Sequence, residues 1–235
     1  MVQIDGSHHA WFGHQSSCLI GAIDDATGKI VGAKFSKTET SLDTMIVVEQ
    51  ILNRYGRFHM LYSDKAGIFD NKKREGFTNV TRALQQLDII SILANSPQAK
   101  GRIERLWGTL QDRLVSEMRI RNISTIKDAN EYLPEFIEYY NKKFSVLPSN
   151  CESAYRPLPA EIDLDKVFCI IEERIVHTGN RVCIDNQKLI INTNLGYSLR
   201  DKIVEIKTYR DGTRKFFVDT KEVQVEQLLD PQKAA

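Results

Sequence analysis

The hydrophobic period changes along this chain, and that change limits the folds it can adopt. In the first part of the chain, apolar residues alternate with polar ones or form short runs, at residues 1–11, 18–23 and 29–35. A period of two residues is typical of strands, and residues 24–28 between the last two stretches have turn chemistry. This region therefore predicts three consecutive, antiparallel strands.

Helices and strands alternate beyond this region. Apolar residues at helical spacing predict a helix over residues 40–55, closed by Gly56, and a second over residues 78–87. Short apolar runs predict strands over residues 58–62 and 89–94. Alternation of this kind implies a parallel part of the sheet. We therefore expect an α/β fold with a mixed five-stranded sheet flanked by helices.

Two longer helices are predicted after the fifth strand. An apolar stripe at helical spacing runs through residues 98–120. Thr125 and Asp128 resemble a capping box at the start of the next helix. Pro134 should kink that helix or begin a new segment, because proline lacks the backbone N–H of a helical hydrogen bond.

The pattern becomes β again near the C-terminus. Residues 144–160 hold three of the six prolines, which is typical of a linker. Short strands are then predicted over residues 181–185, 188–193, 202–209 and 214–218. Asp211-Gly212 is a hairpin signal, and the whole tail is expected to form a small barrel or sandwich. The predicted domains are a core over 1–145, a Pro-rich linker over 146–162 and a barrel-like C-terminal domain over 163–235.

Composition excludes several classes of protein. The chain has 235 residues, of which 42% are hydrophobic and 27% charged, a balance that argues against long disorder. It has no apolar run of membrane-spanning length and no signal-peptide pattern, so we expect no membrane partner. The four cysteines are scattered, which predicts neither a zinc module nor disulfides and favours a cytoplasmic location. Cys169 and Cys183 are expected inside the β tail as small hydrophobic residues.

Basic residues are concentrated in two stretches although the net charge is only +1. Residues 97–121 hold six basic and three acidic side chains, and residues 65–82 hold five basic and two acidic ones. Such clusters suit contacts with phosphates, and a solvated basic surface is the commoner alternative.

Three acidic residues stand out by their positions. Asp5 lies on the first predicted strand, Asp64 follows a later strand, and Glu104 lies in the first turns of the long helix. Ligand sites of α/β sheets lie at the carboxyl ends of strands, and Mg²⁺ takes oxygen ligands. Gly101 and Gly108 lie on the same side of the helix as Glu104. One interpretation is room for a close approach of DNA or of another strand, and the alternative is that Gly101 belongs to a loose helix start.

Each acid also has a plainer interpretation. Asp5 would be a polar residue on the exposed face of an edge strand, and Asp64 would be a turn residue. Glu104 would pair with Lys100 or Arg105. These alternatives stay open on spacing alone.

Several segments resemble one known family. They are VQIDGSHHAWFG (2–13), IDDATGKIVGAKF (23–35), YSDKAGIF (62–69), ANSPQAKGRIERLWGTLQDRLV (94–115), YLPEFIEYYNKKF (132–144) and RPLP (156–159). The chain resembles the catalytic region of bacterial insertion-sequence transposases of the DDE type, which are relatives of retroviral integrases. Most of residues 1–160 is covered, and the block around Glu104 is the most specific.

The resemblance implies a ribonuclease H-like core and a DNA-processing enzyme. The family's three metal-binding acids carry over to Asp5, Asp64 and Glu104, with 39 residues between the last two. The Asp24-Asp25 pair is the rival for the first acid. Two Mg²⁺ ions, with Mn²⁺ as a substitute, would support cleavage at the element's end and transfer of the freed 3′-hydroxyl into target DNA.

The resemblance also implies partners. DNA, as transposon ends and as target, would meet five basic side chains, Lys65, Lys100, Arg102, Arg105 and Arg113. A homo-oligomer on DNA is expected because two ends must be held together, and the location would be the bacterial cytoplasm, at the nucleoid.

One departure from the family concerns the N-terminus. Family members usually carry a helix-turn-helix region before the core, whereas Met1 here stands at the edge of the first predicted strand. We therefore expect an excised fragment or a truncated reading frame. The alternatives to a transposase are a catalytically silent DNA- or protein-binding descendant and a stand-alone nuclease of the same fold.

Overall fold

The chain forms two compact units, Met1–Phe168 and Cys169–Ala235. The computed structural model describes residues 1–13, 16–65, 67–70, 76–94, 101–192 and 198–227. Each unit has its own buried apolar cluster, so each is described separately below.

The first unit contains five strands and five helices among its described residues. In chain order they are β1 (Val2–His9), β2 (Ser17–Asp24), β3 (Ile30–Ser36), α1 (Ser41–Tyr55), β4 (Met60–Ser63), α2 (Asn79–Gln86), β5 (Ile90–Leu93), α3 (Gly101–Ile120), α4 (Ile126–Phe144) and α5 (Leu164–Val167). The sheet order is β3-β2-β1-β4-β5. β1, β2 and β3 pair antiparallel, whereas β4 is parallel to both of its neighbours. The predicted mixed five-stranded sheet is therefore confirmed.

Local residues explain where the helices begin and end. Side chains of Thr40, Thr78 and Thr125 accept backbone N–H bonds at the starts of α1, α2 and α4. Gly56 ends α1 with a φ of 93°, a conformation that suits glycine. The expectation of a new segment at Pro134 is wrong, because α4 continues through that residue. The helix keeps its buried face on both sides of the proline.

The two faces of the sheet carry different helices. α1 lies close to one face, since a Cβ added at Gly32 would lie 2.8 Å from the carbonyl oxygen of Val47. α3 and α4 cover the other face, and the predicted apolar stripe of α3 is buried there. Residues of this cluster include Trp11, Leu19, Phe35, Ile103, Leu110, Leu114 and Phe136. β1 thus lies in the middle of the sheet, under α3.

The second unit is an antiparallel sheet of six strands. They are β6 (Ile170–Ile175), β7 (Arg181–Ile184), β8 (Gln187–Asn192), β9 (Ile203–Thr208), β10 (Arg214–Val218) and β11 (Lys221–Gln227). Their order is β6-β9-β10-β11-β8-β7, and backbone bonds between His177 and Arg181 bring the two ends of this order together. The nearly closed sheet fits the predicted barrel-like tail. Asp211 and Gly212 form the predicted β9–β10 hairpin, with Gly212 at a φ of 84°.

Two expectations about the tail differ from the structure. β6 and β11 were not among the predicted strands, because charged residues interrupt their apolar pattern. Cys169 is buried as predicted, but Cys183 is exposed. Cys183 lies on β7, where Val182 and Ile184 point inwards, so alternation turns the thiol outwards.

The residues of the predicted linker pack on the first unit. The backbone N–H of Val146 donates to Thr27 O at 2.9 Å, and the backbones of Arg57 and Arg156 exchange two hydrogen bonds. The domain boundaries at 145 and 163 stay a prediction. Among the helices of the described ranges, none is long and apolar enough to cross a membrane.

Candidate functional site

Asp5 lies on the central strand of the first sheet. β1 has β2 on one side and β4 on the other, so the interpretation of Asp5 as an edge-strand residue is wrong. Its side chain is half-buried, and Oδ2 accepts a hydrogen bond of 3.0 Å from the indole N–H of Trp107 on α3. The carboxylate therefore points to the face that α3 covers.

Asp64 follows the neighbouring parallel strand. The register pairs Val2 with Leu61 and Gln3 with Tyr62. Asp5 lies two residues after Gln3 on β1, and Asp64 lies two residues after Tyr62, one position past the end of β4. Side chains two residues apart point to the same face of a sheet. Asp64 is half-buried, directly after the end of β4. Only a register that continued beyond the last pair, Gln3 with Tyr62, would bring Asp64 level with Asp5, so their juxtaposition stays a prediction.

Glu104 belongs to the first turn of α3 and is exposed. It precedes Trp107, the helix residue that contacts Asp5, by three positions, which is about one turn. A Cβ added at Gly101 or Gly108 would meet nothing within 4 Å. Within the described residues, the side of α3 that carries Glu104 therefore borders open space.

Polar contacts attach α3 to β1 and to the turn after β2. The Trp107–Asp5 bond lies between two others: Gln111 Nε2 donates to Ser7 Oγ at 3.1 Å, and Arg102 Nε lies 3.1 Å from Asp25 Oδ1. Trp107 belongs to the apolar stripe predicted over residues 98–120, which indicates core packing and does not predict the bond to Asp5. The three- and four-residue spacing of Glu104, Trp107 and Gln111 was the available signal.

Oxygen donors of the right chemistry are present for a hard divalent cation. Asp5, Asp64 and Glu104 would offer only carboxylate oxygens to a metal ion, and oxygen is the donor type that Mg²⁺ takes. In the part of the chain that the structure describes, however, no group of three His, Cys, Asp or Glu side chains is close enough to hold a metal ion. Asp5 and Asp64 each follow a residue of the paired strands, Gln3 or Tyr62, by two positions. Glu104 lies on α3 about one turn before Trp107.

The rival acids at the β2–β3 turn have structural partners. Asp24 Oδ2 accepts hydrogen bonds from the backbone N–H of Thr27 at 3.1 Å and from its hydroxyl at 2.6 Å. Asp25 Oδ1 accepts from Gln3 Nε2 at 2.9 Å and pairs with Arg102. These two carboxylates stabilise the turn and the position of α3.

The predicted DNA-binding residues have different surroundings. Lys65 and Arg105 are exposed, and Arg102 forms the ion pair with Asp25. The guanidinium of Arg113 lies 5.1 Å from the ring centre of Phe144 on α4, so this side chain also packs between helices. Lys100 lies outside the described residues.

Negative charge accumulates around β1 and β2. Burial, together with the charges of Glu39, Asp5 and Asp43, raises the pKa of the Cys18 thiol to about 12. Glu39 approaches the other face of β1, where a Cβ at Gly6 would lie 2.8 Å from the Glu39 carboxyl carbon. The sequence analysis did not find Glu39, because only the tertiary structure brings it beside β1.

Comparison with known sequences gives two curated relatives, while no protein-family model matches. A protein of Sinorhizobium fredii named as a candidate transposase, y4bF, is 38% identical over 222 residues, which is 90% of this chain and 48% of the relative. The transposase for insertion sequence IS1202 of Streptococcus pneumoniae is 35% identical over 241 aligned residues, covering 98% of this chain and 51% of the relative. The resemblance to insertion-sequence transposases is thereby confirmed. The chain spans about half the length of these relatives.

Solved structures give weaker similarity. A chain of the simian T-cell lymphotropic virus intasome, solved with a PP2A regulatory subunit, matches 98% of this chain and 78% of its own length, with a TM-score of 0.48 and 14% identity. The HTLV-2 integrase catalytic core, solved with magnesium, matches 65% of this chain and 91% of its own length, with a TM-score of 0.47 and 15% identity. These scores are too low to carry a conclusion about the fold.

Proposed function

We propose that this chain contains the catalytic core and C-terminal domain of a DDE-type transposase. The core would be ribonuclease H-like and occupy residues 1–145, with a linker over 146–162 and the barrel-like domain over 163–235. The observation that supports the proposal is the parallel pairing of β1 with β4, on or just after which Asp5 and Asp64 lie, in a chain similar to two transposases. The enzyme would cleave DNA 3′ ends and transfer the freed strands into target DNA.

Asp5, Asp64 and Glu104 are the residues proposed to hold two Mg²⁺ ions, or Mn²⁺ in their place. When bound, such ions activate a water or a 3′-hydroxyl and stabilise the leaving oxygen of a phosphodiester. The protein's own contribution is orientation. β1 and β4 would present two carboxylates from a rigid sheet, and α3 would bring the third across the open side marked by Gly101 and Gly108.

DNA would approach along this open side of α3. We propose that Lys65, Lys100, Arg102, Arg105 and Arg113 contact its phosphates, which gives affinity that falls with salt and does not depend on base sequence. A homo-oligomer would hold two transposon ends, and the protein would act at the nucleoid in the cytoplasm.

A strand-transfer assay with pre-cut transposon ends and Mg²⁺ or Mn²⁺ tests the proposal. Wild type should join ends to target DNA, and Asp64→Asn should abolish the product, because an amide replaces a charged metal ligand. Glu104→Gln should do the same, while Asp112→Asn, an exposed position on the same helix, should leave the rate unchanged. Circular dichroism of each variant checks that the fold is retained.

Three results would contradict the proposal in different ways. Joining by Asp64→Asn at the wild-type rate would reject the metal assignment. Cutting without joining would identify a stand-alone nuclease. DNA binding without any product, in either metal, would identify a catalytically silent descendant.

A further inference from the structure

A hydrogen bond connects the core of the first unit to the proposed metal site. The indole N–H of Trp107 donates to Oδ2 of Asp5 at 3.0 Å. Trp107 is only 8% exposed and belongs to the apolar cluster between the sheet and α3. Its ring is therefore fixed by packing, and the direction of its N–H is fixed with it.

Gly21 explains why this ring can lie so close to β1. Gly21 is the cross-strand partner of Asp5 on β2. A Cβ added at Gly21 would lie 2.6 Å from Cη2 of Trp107, closer than real Cβ contacts allow. The missing side chain leaves the space that the six-membered part of the indole occupies. Gly21 and Trp107 are thus matched in shape beside Asp5.

We propose that Trp107 is a positioning residue that orients the Asp5 carboxylate for the metal. A hydrogen bond to one carboxylate oxygen restricts rotation of the group, so less rotational freedom is lost when a cation binds. Outer partners of metal ligands typically contribute this kind of orientation. The inference rests on the proposed function, because it requires Asp5 to be a metal ligand.

Trp11 provides a matched control for Trp107. Its indole N–H also donates at 3.0 Å to β1, but the acceptor is the backbone carbonyl of Ser7. Trp11 is 1% exposed and lies in the same apolar cluster. Replacing either tryptophan by phenylalanine removes one indole N–H donor and part of a buried ring. Only Trp107→Phe removes a bond to a proposed metal ligand.

The test makes two measurements. Electron paramagnetic resonance of free Mn²⁺ measures Mn²⁺ binding directly. The joining assay gives the Mn²⁺ concentration at which the joining rate is half-maximal. In Trp107→Phe both should indicate weaker binding by about 10- to 100-fold, while the rate at saturating Mn²⁺ changes less. Trp11→Phe should lose a similar amount of thermal stability and keep wild-type Mn²⁺ binding. Wild-type binding by Trp107→Phe, or equal loss in both variants, would overturn the positioning role.

Gly21→Ala tests the same bond without touching tryptophan. Its Cβ should displace the indole and weaken Mn²⁺ binding as Trp107→Phe does. The smaller ring of phenylalanine makes room for that Cβ, so the double variant should bind Mn²⁺ no more weakly than Trp107→Phe alone. Additive losses in the double variant would overturn the shape match.

Asp5→Asn separates this inference from the proposed function. If wild type binds no Mn²⁺ and joins no DNA, both the metal site and the positioning role are rejected. If Asp5→Asn loses binding while Trp107→Phe keeps it, the metal site stands and the positioning role alone is rejected.

Discussion

The side-chain amide of Asn130 on α4 hydrogen-bonds to both backbone groups of Phe35 on β3. Phe35 N donates to Asn130 Oδ1 at 2.8 Å, and Asn130 Nδ2 donates to Phe35 O at 3.0 Å. Asn141 forms the same pair of bonds with Ile30 at 2.8 Å each. β3 is an edge strand, and an open edge is a template for pairing with another chain. The two side-chain amides therefore form, at Ile30 and Phe35, the backbone hydrogen bonds that a neighbouring strand would otherwise form.

Replacing both amides should weaken the fold. We expect Asn130→Ala with Asn141→Ala to lower the free energy of unfolding by about 1–3 kcal/mol for each site, since backbone groups of β3 lose their partners. The double variant should also self-associate through the uncovered edge. Urea denaturation measures the first effect, and light scattering measures the second. Asn53→Ala, at an exposed position on α1, is the control and should change stability by less than about 0.5 kcal/mol. Equal stability of the double variant and this control would contradict the prediction.

Asp43 should make part of the stability dependent on pH. Partial burial acts to raise the pKa of this carboxyl, but hydrogen bonds from Lys34, Thr40 and Ser36 outweigh it and lower the pKa below its usual value. The lowered pKa means that Asp43 stabilises the fold above its unfolded pKa of about 4, and that this contribution is lost as pH falls through the folded pKa. Asp43→Asn should therefore cost about 1–3 kcal/mol at pH 7 and much less at pH 3.

Urea midpoints at pH 7 and pH 3 measure this difference. Asp112→Asn serves as the exposed control and should match wild type at both pH values within about 0.5 kcal/mol. A penalty for Asp43→Asn that is the same at both pH values would show that its charge does not stabilise the fold.

The four cysteines should react in two classes. Cys151 and Cys183 are exposed, whereas Cys18 and Cys169 are buried. Because the pKa of Cys18 is raised to about 12, its thiol stays protonated at pH 8 and is a poor nucleophile. Iodoacetamide at pH 8 should label the two exposed thiols of the native protein, and all four in urea. Peptide mass spectrometry identifies the labelled sites, and native labelling of Cys18 would contradict its burial.

Arg102 and Arg105 should contribute differently to DNA binding. Arg105 is exposed, so Arg105→Ala should weaken binding and reduce the salt slope by about one. Arg102 must break its ion pair with Asp25 before it can contact a phosphate. Asp25→Asn removes that cost and should raise DNA affinity by up to about fivefold, which corresponds to the free energy of an exposed ion pair. Fluorescence anisotropy against salt concentration measures both. Arg119→Ala, in the last turn of α3, is the control, and loss of binding there equal to Arg105→Ala would reject the assignment.

Patterns local in the chain predicted most elements of the first unit. Thr40, Thr78 and Thr125 lie at the helix starts, and a period of two marks β1, because caps and alternation act between residues near in sequence. β6 and β11 were not predicted, because their apolar pattern is weak. Pairing with strands elsewhere in the chain, β9 and β8, stabilises them instead. The exposure of Cys183 follows instead from local alternation, because Val182 and Ile184 on either side of it are buried.

The sequence by itself predicted the order of strands and helices in the first unit and, through the resemblance, pointed to insertion-sequence transposases and proposed three acids. Tertiary structure alone decided that β4 pairs with β1 in the register that matches Gln3 with Tyr62, and that Trp107 donates to Asp5 over Gly21. Helical and strand periods are properties of neighbouring residues. Contacts between residues about a hundred positions apart depend instead on how sheet and helix pack, which no local pattern records.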